Sequence, residues 1–151
     1  MRQQLADALD WGHAHADFDR AVHRFPVALR GRRVRGLPYS AWQILEHLRI
    51  AQEDLLDFAR NSRYAPRTWP QDYWPRDPEP PNARAWNASI AAFRKDRKAL
   101  KRLATDNRIK LDARIPHGSG QTYLREILLA IDHNAYHVGE LVLLRRLFGA
   151  W

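Results

Sequence analysis

Apolar residues recur at three- and four-residue spacing along four stretches of the chain, the pattern of amphipathic helices that bury one face. The predicted helices cover about residues 3–23, 41–60, 83–104 and 122–148. In the second helix the buried face consists of Ile44, Leu45, Leu48, Ala51, Leu55 and Phe58. Little of the chain has the pattern of a strand. The sequence therefore predicts an all-α fold, a four-helix bundle, in a single domain spanning residues 1–151.

Local signals mark the ends of these helices. Pro26 ends the first, because proline cannot continue the backbone hydrogen-bond ladder. Ser40 is the predicted N-cap of the second, with Gln43 three residues later as its partner in a capping box. Thr122 is the candidate N-cap of the fourth helix, and Gly149 stands in the usual position after a helix C-terminus.

The connection between the second and third helices, residues 61–82, is long and rich in proline. Its six prolines exclude a regular helix or a central strand; they are Pro66, Pro70, Pro75, Pro78, Pro80 and Pro81. Trp69, Tyr73 and Trp74 lie between them, and three large aromatic residues are typical of a segment that packs against the bundle. Because of its length, we expect a crossover between the two ends of the bundle rather than a tight hairpin.

Composition narrows the chemistry that is open to the chain. Of the 151 residues, 45% are hydrophobic and 28% are charged, which is typical of an ordered globular protein. There is no cysteine, so any metal must be bound by histidine and carboxylate groups, and thiol chemistry requires an external thiol. The chain shows no leader-like apolar run and no membrane-length apolar stretch, which predicts a cytoplasmic protein without a membrane partner.

The net charge of +8, from 25 Lys and Arg against 17 Asp and Glu, raises the question of an anionic partner. Nucleic acid would be attracted by such an excess of positive charge. The basic residues are spread over every segment, however, and no recognition-helix signature accompanies them. A solvated, arginine-rich surface is the favoured interpretation, and nucleic-acid binding is unlikely on this reasoning.

Three histidines are the strongest candidates for chemistry. His133 and His137 are four residues apart on the fourth helix, so they project from one face and could share a metal ion. Alone, this pair is a weak signal, and Asn134 excludes the His-Glu-x-x-His pattern of metalloproteases. His47, in the second helix, would complete a three-histidine site or is simply a buried core histidine. Three neutral imidazoles suit zinc, nickel or iron better than magnesium or calcium.

Three stretches of the chain resemble the DinB-like metal-binding helical bundle superfamily, which includes bacillithiol transferases. They are PYSAWQILEHL (38–48), DHNAYHVGEL (132–141) and LRRLFGAW (144–151). The order of the helices and the long middle loop also match, so the resemblance covers nearly the whole chain. It implies a divalent metal ion (zinc, nickel, iron or manganese) bound by His47, His133 and His137. It also makes a low-molecular-weight thiol a candidate cofactor.

Three further residues have open roles at this stage. Glu140 shares the face of His133 and His137, where members of the superfamily often have Gln. It could orient an imidazole or bind the metal, but an exposed helical carboxylate is the favoured interpretation. Glu126 lies on the same stripe without an assigned role. His117, in the loop before the fourth helix, could approach a substrate, although an exposed loop histidine is favoured.

The resemblance implies a metal-dependent thiol S-transferase that acts on small electrophiles. The metal would lower the pKa of the thiol and present a thiolate to a small-molecule substrate. A non-enzymatic metal-binding stress-response protein and a metal-dependent hydrolase are the alternatives. The usual nucleophile motifs are missing, so catalysis in this chain would depend on the metal. A homodimer is a further expectation, because exposed Trp or Leu on the first or last helix could mediate one.

Overall fold

Five α-helices make up the regular structure of this computed structural model, which describes residues 1–10 and 14–151. The helices are α1 (Arg2–Ala8), α2 (Phe18–Val22), α3 (Ala41–Arg60), α4 (Ala85–Thr105) and α5 (Tyr123–Leu147), with a 3₁₀ turn at Val27–Leu29. An isolated antiparallel bridge joins Arg114 and Thr122, and the described residues form no strand. None of the helices that they form is both long and apolar enough to cross a membrane. The predicted all-α bundle is confirmed.

The first predicted helix, residues 3–23, is wrong as one continuous helix. It is divided into α1 and α2, and residues 14–17 between them are not helical. The reason is local, because the Asp17 side chain accepts a hydrogen bond from the backbone N–H of Arg20 at 2.7 Å and so starts a new helix. The division lets α1 pack against α4 while α2 packs against α5. Residues 11–13, which also belong to the predicted helix, lie outside the described residues.

The start of α3 follows the predicted capping box. The Ser40 hydroxyl accepts from the backbone N–H of Gln43, and the Gln43 side-chain oxygen accepts from the backbone N–H of Ser40, both at 3.2 Å. Both side chains also bind the proline-rich segment. Ser40 donates its hydroxyl hydrogen to the carbonyl of Pro78, and Gln43 donates from Nε2 to the carbonyl of Pro75 at 2.9 Å. The helix cap is therefore also an anchor for the segment after α3.

Later residues of the segment between α3 and α4 contact earlier residues of α3. Near its beginning, Tyr64 donates to one carboxylate oxygen of Asp54 at 3.0 Å, and Tyr73 donates to the other at 2.7 Å. Further along the chain, Pro78 lies at the N-terminus of α3, on Ser40. The segment therefore runs back beside α3 towards the start of that helix.

α3 packs against both α4 and α5. The Ser89 hydroxyl of α4 donates to Glu46, and Gln52 Nε2 donates to the carbonyl of Phe93 at 2.7 Å. From the first of these pairs to the second, the residue number increases in both helices, so α3 and α4 run parallel. Two apolar clusters fill the interior: one includes Trp42, Leu45, Leu48, Trp86, Phe93 and Leu141, the other Leu56, Ala59, Leu100, Leu103, Ile127 and Ala130. On α3 and α5 the stretches between the two clusters carry buried Gln52 and Asn134.

Because Ser40 has two roles, we expect the loss of its side chain to destabilise the fold more than the loss of the Thr122 cap. Thr122 caps α5 by accepting from the backbone N–H of Arg125, whereas Ser40 both caps α3 and binds Pro78. We expect Ser40→Ala to lower the free energy of unfolding by about 2 kcal/mol and Thr122→Ala by about 1 kcal/mol. Urea unfolding followed by circular dichroism measures both. An equal loss in the two variants would contradict the anchoring role of Ser40.

Candidate metal centre

His47 of α3 meets His133 and His137 of α5 inside the bundle. Each histidine offers one ring nitrogen, and the three nitrogens lie within 4.8 Å of one another, a group that could hold a metal ion. Nε2 of His47 and Nε2 of His133 are 3.0 Å apart. His47 is 2% exposed and His137 is 7% exposed. The structure thus brings together the three histidines that the sequence singled out.

Hydrogen bonds orient two of the three imidazoles. Nδ1 of His47 lies 3.1 Å from the carbonyl oxygen of Tyr73, and Nδ1 of His137 lies 2.7 Å from a carboxylate oxygen of Glu140. A carbonyl and an ionised carboxylate can only accept, so both Nδ1 atoms carry hydrogen and donate it. In the neutral rings this leaves the lone pair on Nε2 of His47 and of His137.

Burial keeps two of the imidazoles uncharged. It lowers the pKa of His47 to about 4, and the nearby His137 lowers it further, while the Tyr73 carbonyl and Glu140 act in the opposite direction. Burial also lowers the pKa of His133 to about 3, with His137 and His47 as additional causes. Both rings are therefore neutral at pH 7, which is the form of histidine that binds a metal.

Aromatic side chains cover one side of the histidine cluster. The ring of Trp74 stacks on His47 with centroids 3.8 Å apart and an interplanar angle of 6°. Tyr39 also stacks on Trp74, with centroids 3.7 Å apart. Trp69 meets His47 edge-on at 6.3 Å and is 65% exposed. The proline-rich segment thus holds His47 in place both by the Tyr73 carbonyl, which accepts its Nδ1 hydrogen, and by the stacked ring of Trp74.

A cavity of about 590 Å³ opens onto the three histidines. Much of its wall is apolar or aromatic, and includes Leu55, Phe58, Leu129, Trp69 and Trp74. Arg125 and Glu126 also line it, with Nη1 of Arg125 2.6 Å from Glu126. Glu126 is two helical turns before His133, about 10 Å along the axis of α5. The cavity therefore has the histidines in one region, a charged pair in another and apolar walls between them.

The structure decides between the interpretations left open for three residues. Glu140 is half-buried and accepts from His137, so it orients an imidazole instead of standing free in solvent. Glu126 is 2% exposed and lines the cavity. His117 is exposed, its Nε2 donates to the carbonyl of Phe58 at 2.7 Å, and it is not among the residues that line the cavity.

The parts of the site that come from the proline-rich segment were not assigned from the sequence. The carbonyl of Tyr73 and the ring of Trp74 complete the surroundings of His47. The only signal for them is the group of aromatic residues between prolines. A backbone carbonyl carries no signature in the amino-acid sequence, so the partner of His47 could not have been named.

Comparison with known proteins now adds to this geometry. The family model of the DinB superfamily matches residues 11–141 of the chain. The chain belongs to the DinB superfamily. No match was found among curated proteins or among solved structures. The matched range contains α2, α3, α4, most of α5 and the three clustered histidines of this DinB protein, His47, His133 and His137.

The lowered pKa values predict that the metal-free DinB protein loses stability in acid. In the unfolded chain a histidine has a pKa of about 6.5, whereas in the folded chain the pKa is about 4 for His47 and about 3 for His133. Between these values the unfolded chain binds more protons than the folded chain. The free energy of unfolding therefore keeps its full value above pH 6.5 and falls as the pH is lowered through this window. Each histidine contributes on the order of 2–4 kcal/mol to the fall.

Urea unfolding of chelator-treated protein at several pH values between 7 and 4 measures this slope. His47→Gln should unfold with a shallower pH dependence, whereas the control His117→Gln should keep the wild-type slope. A His47→Gln slope identical to that of the wild type would show that the buried imidazole does not cause the loss.

Proposed function

We propose that this DinB protein binds one divalent metal ion through Nε2 of His47, His133 and His137 and uses it to transfer a small thiol to an electrophilic molecule. The observation that supports metal binding best is the convergence of three imidazole nitrogens within 4.8 Å of one another. The cavity in front of them supports a reaction on a small molecule.

The donor set suits a transition metal. Two of the imidazoles have their Nδ1 hydrogens bound outside the cluster, so their Nε2 lone pairs are available. Three nitrogens on one tetrahedral ion at about 2.1 Å would be about 3.4 Å apart. In this cluster the Nε2 atoms of His47 and His133 are 3.0 Å apart, and all three ring nitrogens lie within 4.8 Å of one another. A set of imidazoles without carboxylate favours zinc, nickel or iron over magnesium or calcium, and the resemblance to the superfamily adds manganese. Three protein ligands leave a position that faces the cavity.

The proposal of thiol transfer is supported by the resemblance to a superfamily that includes bacillithiol transferases. Because the chain has no cysteine, a thiol nucleophile would have to be a separate molecule. A divalent ion held by the three histidines would lower the pKa of that thiol and favour its thiolate. The thiol sulfur forms the new bond to carbon, the leaving group departs with its electron pair, and the thiol proton goes to solvent. The apolar walls of the cavity bind the apolar part of the electrophile.

We also propose a cytoplasmic location and a homodimer, the two other expectations from the sequence. Several large apolar residues on the outer face of α5 and at the C-terminus are exposed: Leu128, Tyr136, Leu143, Leu147 and Trp151. Such a surface supports self-association. Sedimentation of the purified protein would give its oligomeric state.

A thiol-transfer assay tests the proposed function. Zinc-loaded protein is mixed with cysteine or glutathione and monochlorobimane, and the fluorescent adduct is followed as chloride is released. We expect a rate above that of the buffer, with a loss of at least tenfold in His47→Ala and in His137→Ala, because each variant removes one of three ligands. His117→Ala is the matched control and should keep the wild-type rate, since His117 lies outside the cavity.

The outcomes separate the proposed function from its alternatives. Metal bound at one ion per chain with no adduct, but with hydrolysis of a nitrophenyl ester that depends on His47, would replace the transferase with a hydrolase. Bound metal without either activity would favour a non-enzymatic metal-binding protein. Wild-type protein that retains no divalent metal would contradict the proposal at its base.

A further inference from the structure

The outer nitrogen of each imidazole needs a hydrogen-bond partner, and only two of the three have one. Nδ1 of His47 donates to the Tyr73 carbonyl, and Nδ1 of His137 donates to Glu140. Nδ1 of His133 is buried and has no partner within the described part of the chain. A buried polar nitrogen without a partner is costly and therefore calls for an explanation.

A matching acceptor lies on the next residue. Oδ1 of Asn134 is also buried and, as far as residues 1–10 and 14–151 are concerned, accepts no hydrogen bond. Asn134 is 8% exposed, and its side chain raises the pKa of His133, a smaller effect than the lowering by burial. An unpaired nitrogen and an unpaired oxygen thus occur on adjacent residues of α5.

The direction of the Asn134 amide is set by a chain of buried hydrogen bonds that leads to α4. Gln52 Nε2 donates to the carbonyl of Phe93 at 2.7 Å. This leaves Oε1 of Gln52 as the acceptor for Nδ2 of Asn134, at 2.9 Å. A flip of either amide would place acceptor against acceptor or donor against donor. Oδ1 of Asn134 is therefore held on the side of its amide away from Gln52.

We infer that Asn134 is a positioning residue for His133, whose Nδ1 hydrogen is accepted by Oδ1 of Asn134 when Nε2 serves as a metal ligand. The inference rests on the proposed function, because it assigns the third outer partner of the same histidine cluster. Each imidazole then has its own acceptor: a backbone carbonyl for His47, a carboxylate for His137 and an amide for His133. Such partners orient a ligand ring and select its tautomer.

The 3.0 Å contact between Nε2 of His47 and Nε2 of His133 gives Asn134 a second role. Tyr73 holds the hydrogen of His47 on Nδ1, so a hydrogen bond between the two Nε2 atoms requires the hydrogen of His133 on Nε2. Metal ligation by Nε2 of His133 requires that hydrogen on Nδ1 instead. Asn134 thus accepts the proton in the tautomer that the metal-bound site needs.

Two substitutions of Asn134 separate positioning from packing. Asn134→Leu and Asn134→Asp both remove the amide hydrogen that is donated to Gln52, and Asp also places an oxygen against Oε1 of Gln52, so its structural loss is at least as large. Only Asp keeps an acceptor for His133. Zinc affinity, measured by competition with a chelator, should fall about 10- to 100-fold in Asn134→Leu. In Asn134→Asp it should stay within about threefold of the wild type or increase, because a carboxylate is the stronger partner.

A hydrogen-bond measurement adds a readout that a structural role would not move. In the zinc-bound wild type and in Asn134→Asp, the Nδ1 hydrogen of His133 should give a downfield ¹H resonance that is protected from exchange, as a hydrogen-bonded N–H does, and in Asn134→Leu both the shift and the protection should be lost. Circular dichroism of the metal-free variants shows that both are folded. Equal losses of affinity in the two variants, or an unchanged affinity in Asn134→Leu, would overturn the inference and leave the metal site in place. A wild type that binds no zinc would overturn the metal site and the inference together.

Discussion

Two imidazole nitrogens that face each other at 3.0 Å in a buried site are the constraint on which the rest of the structure depends. Their rings belong to His47 and His133, one on each of two packed helices. Two lone pairs at this distance repel each other, so either a hydrogen carried by Nε2 of His133 or a metal ion must lie between them. Burial makes a charged imidazolium unfavourable, which is why the pKa of each ring is lowered. The site therefore keeps both rings neutral, and it could hold a metal ion where the shared hydrogen would otherwise lie.

The helices supply the three rings, and the segment between α3 and α4 supplies much of what holds His47. The same segment is tied to α3 at Asp54 through two tyrosine hydroxyls and at Ser40 through Pro78. Between these anchors it places the Tyr73 carbonyl on Nδ1 of His47 and the Trp74 ring on its face. A capping box at the start of a helix and the orientation of a candidate ligand thus belong to one set of contacts. Proline suits this segment, because it limits the backbone without forming a helix.

Sequence patterns predicted the three long helices to within about two residues at each end, since amphipathic periodicity and the caps at Ser40 and Thr122 are local signals. Helical spacing also placed His133 and His137 on one face. The division of the first helix was missed, because the Asp17 cap competes with an apolar pattern that continues through it. Tertiary contacts of the loop could not be predicted, because no periodicity specifies where the Tyr73 carbonyl lies.

The side chains of α5 that interact with the two histidines of that helix were only partly predictable from the sequence. The three-residue spacing of His137 and Glu140 made their hydrogen bond one of the open alternatives, and only the packed structure decided it. Asn134 follows His133 directly in the sequence, but its amide has a defined direction only because Gln52 and Phe93 lie beside it. The surroundings of a metal ligand depend on several helices at once, whereas the ligand itself has a local pattern.

The most direct test of the account is the position of a metal ion in crystals of the full chain grown with zinc, located by anomalous diffraction at the zinc absorption edge. We expect one zinc ion per chain at about 2.1 Å from Nε2 of His47, His133 and His137, with the bonds from Nδ1 to Tyr73 and Glu140 retained. Zinc bound through Nδ1, zinc bound only at other residues, or a cluster that stays empty at saturating zinc would contradict the account.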